Sequence, residues 1–365
     1  MRRIYVTALV FLVAGIVSAE PRIKAIKVAV ENPATEARPG ADVVISIEAL
    51  RRIAPDFTPG SVIVTATEAA TVEQDAATLE TTELPSQVDD LDGDGKGDEL
   101  AFQIDLKPRQ TRIVTISYGD GDRIWRLRGS YAKRTDALFS RKIEGLGWES
   151  ERLAWRIYFD PRNAIDLYGK RRPTLQLGMF ASPDYIYHDE SPEGRDIYKV
   201  GNALGIGAVG ALVDGKLVKV SEVKQRSWRI ISSGPVRSIV ELSYEGWNVG
   251  GASVTLRSRI TQWAGERGFH HSIVSQPAYP EVYVTGLPLK PGLPAITSDS
   301  VAGGSASRNE PTWLATWGEQ AVATGADATE AVPGQNLGLA LITTSPGVSF
   351  GGDGLNHFLK FSLKD

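Results

Sequence analysis

The chain has 365 residues, 40 basic against 44 acidic side chains, 42% apolar residues and no cysteine. The lack of thiols excludes thiolate zinc sites, iron–sulfur clusters, disulfides and cysteine nucleophiles, but leaves metal binding through oxygen and imidazole open. The slightly acidic balance argues against a broad nucleic-acid or anionic-membrane surface while allowing local basic clefts.

At the N-terminus, Arg2 and Arg3 precede an apolar run over 8–17 and the small-residue stretch Val17-Ser18-Ala19. That order predicts a signal peptide over 1–19, because the run is shorter than the roughly 20 residues needed to span a bilayer. Its removal takes two basic residues and no acid, leaving 38 against 44 and a net charge of −6. The expectation is a periplasmic or secreted chain with no integral membrane association and no nucleic-acid partner.

Residues 20–120 read as a small β-sandwich-like domain with extended segments near 26–30, 43–47, 62–65, 100–106 and 113–118. Leu100, Phe102, Ile104 and Leu106 alternate with Ala101, Gln103 and Asp105, the period of a strand with one buried face. No helix is expected there. Just before that strand runs Asp90-Leu91-Asp92-Gly93-Asp94-Gly95-Lys96-Gly97-Asp98-Glu99. Alternating carboxylates can surround one hard cation, and glycines let the loop turn so that backbone oxygen joins them. Calcium is therefore expected on Asp90, Asp92, Asp94 and Asp98, with the Lys96 carbonyl as a further donor. Position twelve holds Ala101 rather than the acid of a helix–loop–helix calcium hand, so the ion is read as a structural staple. Gly119 to Asp122 and the charged stretch to Arg134 mark a boundary or crossover loop.

Residues 121–365 read as a larger all-β domain with short strands near 153–159, 175–180, 217–220, 236–244, 254–260 and 282–284. Gly-Trp and Gly-Gly between the last long pair predict a hairpin with a wide loop. Strands alternating with amphipathic helices are missing, as are repeated blades, which favours a large antiparallel sandwich over a doubly wound or propeller fold.

Within this region come Lys142-Ile143-Glu144-Gly145-Leu146-Gly147-Trp148-Glu149-Ser150, Trp155-Arg156-Ile157-Tyr158-Phe159-Asp160, Asp196-Ile197-Tyr198-Lys199-Val200-Gly201-Asn202, Tyr244-Glu245-Gly246-Trp247 and Arg259-Ile260-Thr261-Gln262-Trp263. As a set they resemble the uncharacterised bacterial domain-of-unknown-function family 4861. The resemblance covers most of the mature chain. It implies an exported protein with a galactose-mutarotase-like β-supersandwich, found beside enzymes that degrade plant or algal polyuronates. It carries no residue-by-residue reaction. The Gly-rich tail beyond Leu339 further suggests that a terminal strand is missing or that the sandwich closes differently.

The residues themselves allow carbohydrate chemistry. Trp148, Trp155, Trp228, Trp247, Trp263, Trp313 and Trp317 could stack on pyranose rings or simply fill the core. Arg156, Arg257 and Arg259 could wall a groove for uronate carboxylates. Around 184–196, His188 is a candidate base, Tyr187 or Tyr185 a proton donor and Arg195 a carboxylate clamp, a combination that fits β-elimination. Asp189, Glu190, Glu193 and Asp196 are the acids a hydrolase would draw on. His270 and His271 are alternative bases, although adjacent strand residues face opposite ways. The substrate-binding candidates are Arg156, Lys199, Asn202, Trp228, Arg259 and Trp263; Lys199 and Asn202 gain weight from the family resemblance. The reading is a protein acting on uronate-containing glycans, by elimination ahead of hydrolysis. The alternatives are a non-catalytic glycan-binding module and a structural envelope sandwich.

Overall fold

The computed structural model describes residues 6–7, 23–67, 81–279, 282–301, 310–321 and 331–363. Apart from Val6 and Thr7, the expected signal peptide lies outside the described residues.

The described residues of the N-terminal region form two antiparallel sheets. In one, Lys24–Glu31, Thr111–Tyr118, Val62–Thr67 and Thr81–Leu84 lie side by side. In the other, Glu99–Leu106 lies between Arg38–Ser46 and Ser86–Asp89. Val28, Val114 and Ile116 of the first meet Val43, Leu100, Phe102 and Ile104 of the second in one apolar core. The alternation in Glu99–Leu106 is as expected, but its outer face is covered too: Ala101 packs against Val236 and Trp263.

Contrary to the helix-free expectation, Ile47–Ile53 is a helix. Its N-cap Ser46 accepts from the Ala49 backbone N–H through its hydroxyl at 3.1 Å, and Ile47 and Leu50, one turn apart, are buried beneath it. A second short helix, Gly121–Leu127, capped by Asp120, occupies the expected boundary.

Among its described residues the larger region contains four antiparallel sheets around a second apolar core that draws on residues from Ala137 to Leu359. The one that bears on function has the order Gly194–Asp196, Ile165–Lys170, Ala154–Tyr158, Gly145–Ser150, Thr135–Ser140. In the next sheet Arg237–Val249 and Ala252–Trp263 form a long hairpin. Its loop is not wide: Val249 pairs with Ala252, leaving Gly250 and Gly251, both at positive φ (57° and 89°), as a two-residue turn. The Gly246-Trp247 step is a bulge within the strand. The expected strand near 175–180 is instead the one-turn helix Leu177–Phe180. The buried Glu149 carboxylate accepts the backbone N–H groups of Gln176 and Leu177, which fixes that turn. In the tail, Asn356–Phe361 is an inner strand between Tyr283–Pro288 and Ser349–Gly352.

A polar seam joins the two regions. Arg237 donates to Asp89 at 2.7 Å and to Glu99 at 2.6 Å, and its guanidinium lies 5.1 Å from the Trp263 ring centre. Gln103 reaches across to the Ala264 carbonyl at 2.9 Å. No helix among the described residues is long and apolar enough to cross a membrane.

Candidate functional site

Strand parity builds the site. Arg156 lies directly opposite Asp166, and Tyr168 opposite Asp196. Arg156, Tyr158, Asp166, Tyr168 and Asp196 therefore share one face of the sheet, while Trp155, Ile157, Ile165 and Leu167 enter the main core from the other. The segment between Ile165–Lys170 and Gly194–Asp196 folds back over the polar face, where Leu177, Phe180 and Tyr187 pack on Tyr168 and Ala154.

Arg156 is buried at 1% exposure. Its Nη2 lies 2.7 Å from Asp166 Oδ2 and 3.0 Å from Asp196 Oδ2, and it donates to the Tyr158 hydroxyl at 2.6 Å. Nη1 donates to the Tyr187 hydroxyl at 3.2 Å. At the edge, the His188 side chain is 36% exposed and its Nδ1 lies 3.7 Å from Asp196 Oδ2. The rim continues through Glu144, 4.0 Å from Arg156 Nη1, and Arg162, 2.7 Å from Glu144. The Lys142 ammonium stands 5.7 Å from the Tyr187 ring centre.

One guanidinium thus faces two buried carboxylates. Burial opposes the charge on Arg156, but Asp166 above all, with Asp196, holds it firmly protonated. Burial and then the Asp166 charge push Asp196 well above the ordinary carboxylate range, against the pull of Arg156. The Tyr168 hydroxyl is buried against this cluster without a hydrogen-bond partner.

The structure brings His188, Tyr187 and Arg156 together and corrects the roles assigned to several neighbours. Arg156 is an internal counter-ion, not a groove wall. Tyr187 is 7% exposed with its hydroxyl turned inward to Arg156, and the Tyr185 hydroxyl donates to the Gly194 carbonyl, so neither presents a proton to solvent. Arg195 is 9% exposed and, by strand parity, opposite in direction to Asp196, on which its charge still acts to favour the ionised form. Asp166, Tyr158, Glu144 and Arg162 escaped the sequence reading. For Tyr158 and Asp166 the signal was polar residues recurring at the strand period opposite Trp155, Ile157, Ile165 and Leu167; Glu144 and Arg162 lie in turns, where no period marks them.

The other binding candidates scatter. Trp263 is buried in the seam, and Trp148, Trp155 and Trp247 are core residues. Trp228 is 39% exposed and stacks on Phe139 at 4.8 Å. Arg259 pairs with Glu241 at 2.7 Å and donates to the Leu91 carbonyl, so it belongs to the seam. Lys199 is half-buried, its carbonyl accepting from Lys290, while Asn202 is exposed with its carbonyl 3.4 Å from Lys219 Nζ.

His271 is not a surface base. It shares a hydrogen bond with the Ser258 hydroxyl at Nε2, and its Nδ1 lies 3.1 Å from the Gly207 carbonyl. Burial pushes its pKa down to about 4. A histidine whose folded pKa lies below its unfolded value of about 6.5 contributes stability above pH 6.5 that is lost as pH falls toward 4. His271→Asn should therefore show a smaller drop in unfolding temperature between pH 7.5 and 4.5 than the parent chain. An equal drop in both would contradict this role.

In the acidic loop, ligand oxygens of Asp90, Asp92 and Asp98 lie within 4.8 Å of one another. Asp94 is not in that group: it pairs with Lys96 at 2.9 Å. Asp90 accepts from the Gly93 and Gly95 N–H groups, and Asp98 from Leu91 N–H, so the loop is already curled. An all-oxygen set of this kind fits a hard divalent cation. The Leu91 carbonyl also accepts from Arg229 at 2.6 Å, which docks the loop onto the larger region as well as ahead of its own strand. Calcium should raise the unfolding midpoint, chelator should lower it, and Asp92→Ala should remove the difference; an unchanged response in Asp92→Ala would dismiss the loop as a metal site.

A second group with metal-ligand atoms within 4.8 Å comprises Asp42, Glu266 and His270. It places His270 at the seam rather than beside His188.

The profile of a domain of unknown function (DUF4861) matches residues 30–348. The chain is also 25% identical over 201 residues to uncharacterized protein P7 of Formosa agariphila, covering 49% of this chain and 48% of that protein. It thus spans about half the length of the curated relative it matches. No solved structure matches.

Proposed function

Taking as its premise that the chain belongs to the DUF4861 family, whose activity is not established, we propose from the site itself an exported, carbohydrate-active protein that cleaves uronate-containing glycans by β-elimination. The observation that carries this reading is His188 at an exposed edge, backed by buried Asp196, which shares Arg156 with Asp166. A carboxylate behind one imidazole nitrogen orients the ring and stabilises its protonated form, leaving the outer edge to act as a base.

In this reading Lys142 at the rim attracts the uronate carboxylate and stabilises the enolate-like charge that develops on it, while Arg162 is held by Asp160 and Glu144. His188 removes the proton from the carbon beside the carboxylate. The electron pair forms the carbon–carbon double bond as the neighbouring glycosidic carbon–oxygen bond breaks. The imidazolium then returns the proton to the departing oxygen, a role the inward-facing tyrosine hydroxyls do not fill. No water is consumed. The large region is proposed to be a galactose-mutarotase-like supersandwich, on the strength of its stacked antiparallel sheets, and the Arg2-Arg3 and 8–17 pattern supports export to the periplasm or medium.

The test is incubation of the chain with pectic and algal uronate oligosaccharides and mass analysis of the products. Elimination gives fragments whose masses sum to that of the substrate, one of them unsaturated and absorbing in the ultraviolet. Fragments that have gained water would replace this reading with hydrolysis. Exposed Trp125 and Trp317, at 61% and 64%, favour the binding-only alternative, which predicts retention on the glycan without any product.

A further inference from the structure

We propose that Asp42, Glu266 and His270 form a divalent transition-metal site, of the kind that takes zinc, which clamps the N-terminal region to the larger one. Asp42 lies on the Arg38–Ser46 strand of the N-terminal region. Glu266 lies in the turn after Ala252–Trp263, and His270 opens the strand His270–Gln276. Each contributes one ligand atom, all within 4.8 Å of one another, and His270 Nε2 is 3.8 Å from Glu266 Oε2. Donors bound tetrahedrally to zinc sit about 3.4 Å apart, so a closure of roughly 1 Å, within reach of side-chain rotation, completes the geometry.

Three features distinguish the trio from a solvated acidic patch. One donor is an imidazole, and a mixed nitrogen–oxygen set suits zinc-like ions better than calcium, unlike the all-oxygen loop at Asp90, Asp92 and Asp98. Asp42 and Glu266 are held from outside: Gln103 donates to Asp42 Oδ1 at 2.9 Å and to the Ala264 carbonyl, while Ser150 and Gln262 donate to the Glu266 carbonyl. Finally, two carboxylates from different regions of the chain converge beside the imidazole, their ligand atoms within 4.8 Å of one another. A divalent ion is the partner that turns their repulsion into attraction. The side chains of Glu266 and His270 are 37% and 35% exposed, which leaves an entry path.

The experiment is calorimetric titration of the metal-stripped full chain with zinc chloride, with calcium present to fill the acidic loop. Unfolding temperature is followed in parallel. One zinc should bind, with an affinity at least tenfold weaker in Asp42→Asn, Glu266→Gln and His270→Gln, and unchanged in Asp92→Ala. Zinc should raise the unfolding temperature of the parent and of Asp92→Ala but not of the three ligand variants, each checked for parental circular dichroism. The two isosteric acid-to-amide changes keep the test informative if the histidine variant misfolds. No zinc binding by the parent, or binding equally strong in all three ligand variants, would overturn the assignment.

Discussion

Arg156→Ala should destabilise the larger region by about 3–5 kcal/mol, because it strands two buried carboxylates at once. Asp166 and Asp196 are each 1% exposed, and both take their ion pair from the same Nη2. The truncation also withdraws hydrogen-bond donors from Tyr158 and Tyr187 and leaves a cavity between sheet and covering segment. Lysine should rescue little, since one ammonium cannot reproduce the planar fork that meets two carboxylates and two hydroxyls. All eight tryptophans lie at or beyond position 125, and Trp148 and Trp155 are buried in the main core. Denaturant unfolding followed by tryptophan fluorescence therefore reports on the region concerned. A loss below about 1 kcal/mol would show that the carboxylates find another counter-ion or are neutral in the folded chain.

The same cluster shows what a sequence discloses. The alternation of Trp155 with Arg156 was legible, and so were the antiparallel strands and the curled acidic loop. What Arg156 faces was not. A charged residue at the strand period reads as solvent-facing until it is known that 171–193 returns to cover that face. Arg195 was chosen for its charge alone; the strand that pairs Asp196 with Tyr168 turns the acid toward the cluster. Arg259 and Trp263 failed as glycan contacts because the seam between the regions consumes them, and single-chain periodicity carries no signal for which strand face meets a second core. The helix at Ile47–Ile53 rests on the Ser46 cap at the end of the expected strand; the turn at Leu177–Phe180 depends on Glu149, far away in sequence.

If the site is catalytic, His188 is the residue on which turnover depends most steeply. Its ring is partly exposed while its inner nitrogen faces Asp196, so replacing it removes the base and leaves the buried Arg156 pairs in place. General-base removal typically costs about 10²–10⁴-fold in rate. Asp196→Asn should also slow turnover, but through loss of orientation behind the imidazole and with a larger effect on folding. Arg195→Ala, whose target faces the other way, should cost far less turnover than His188→Ala. The most direct measurement is the rate at which the ultraviolet-absorbing, unsaturated product appears from a uronate oligosaccharide, for the parent and His188→Ala, with circular dichroism establishing that both are folded. A folded variant at least a hundredfold slower than an active parent is the predicted result; near-parental rates, or an absence of unsaturated product from the parent on every uronate substrate, would contradict it.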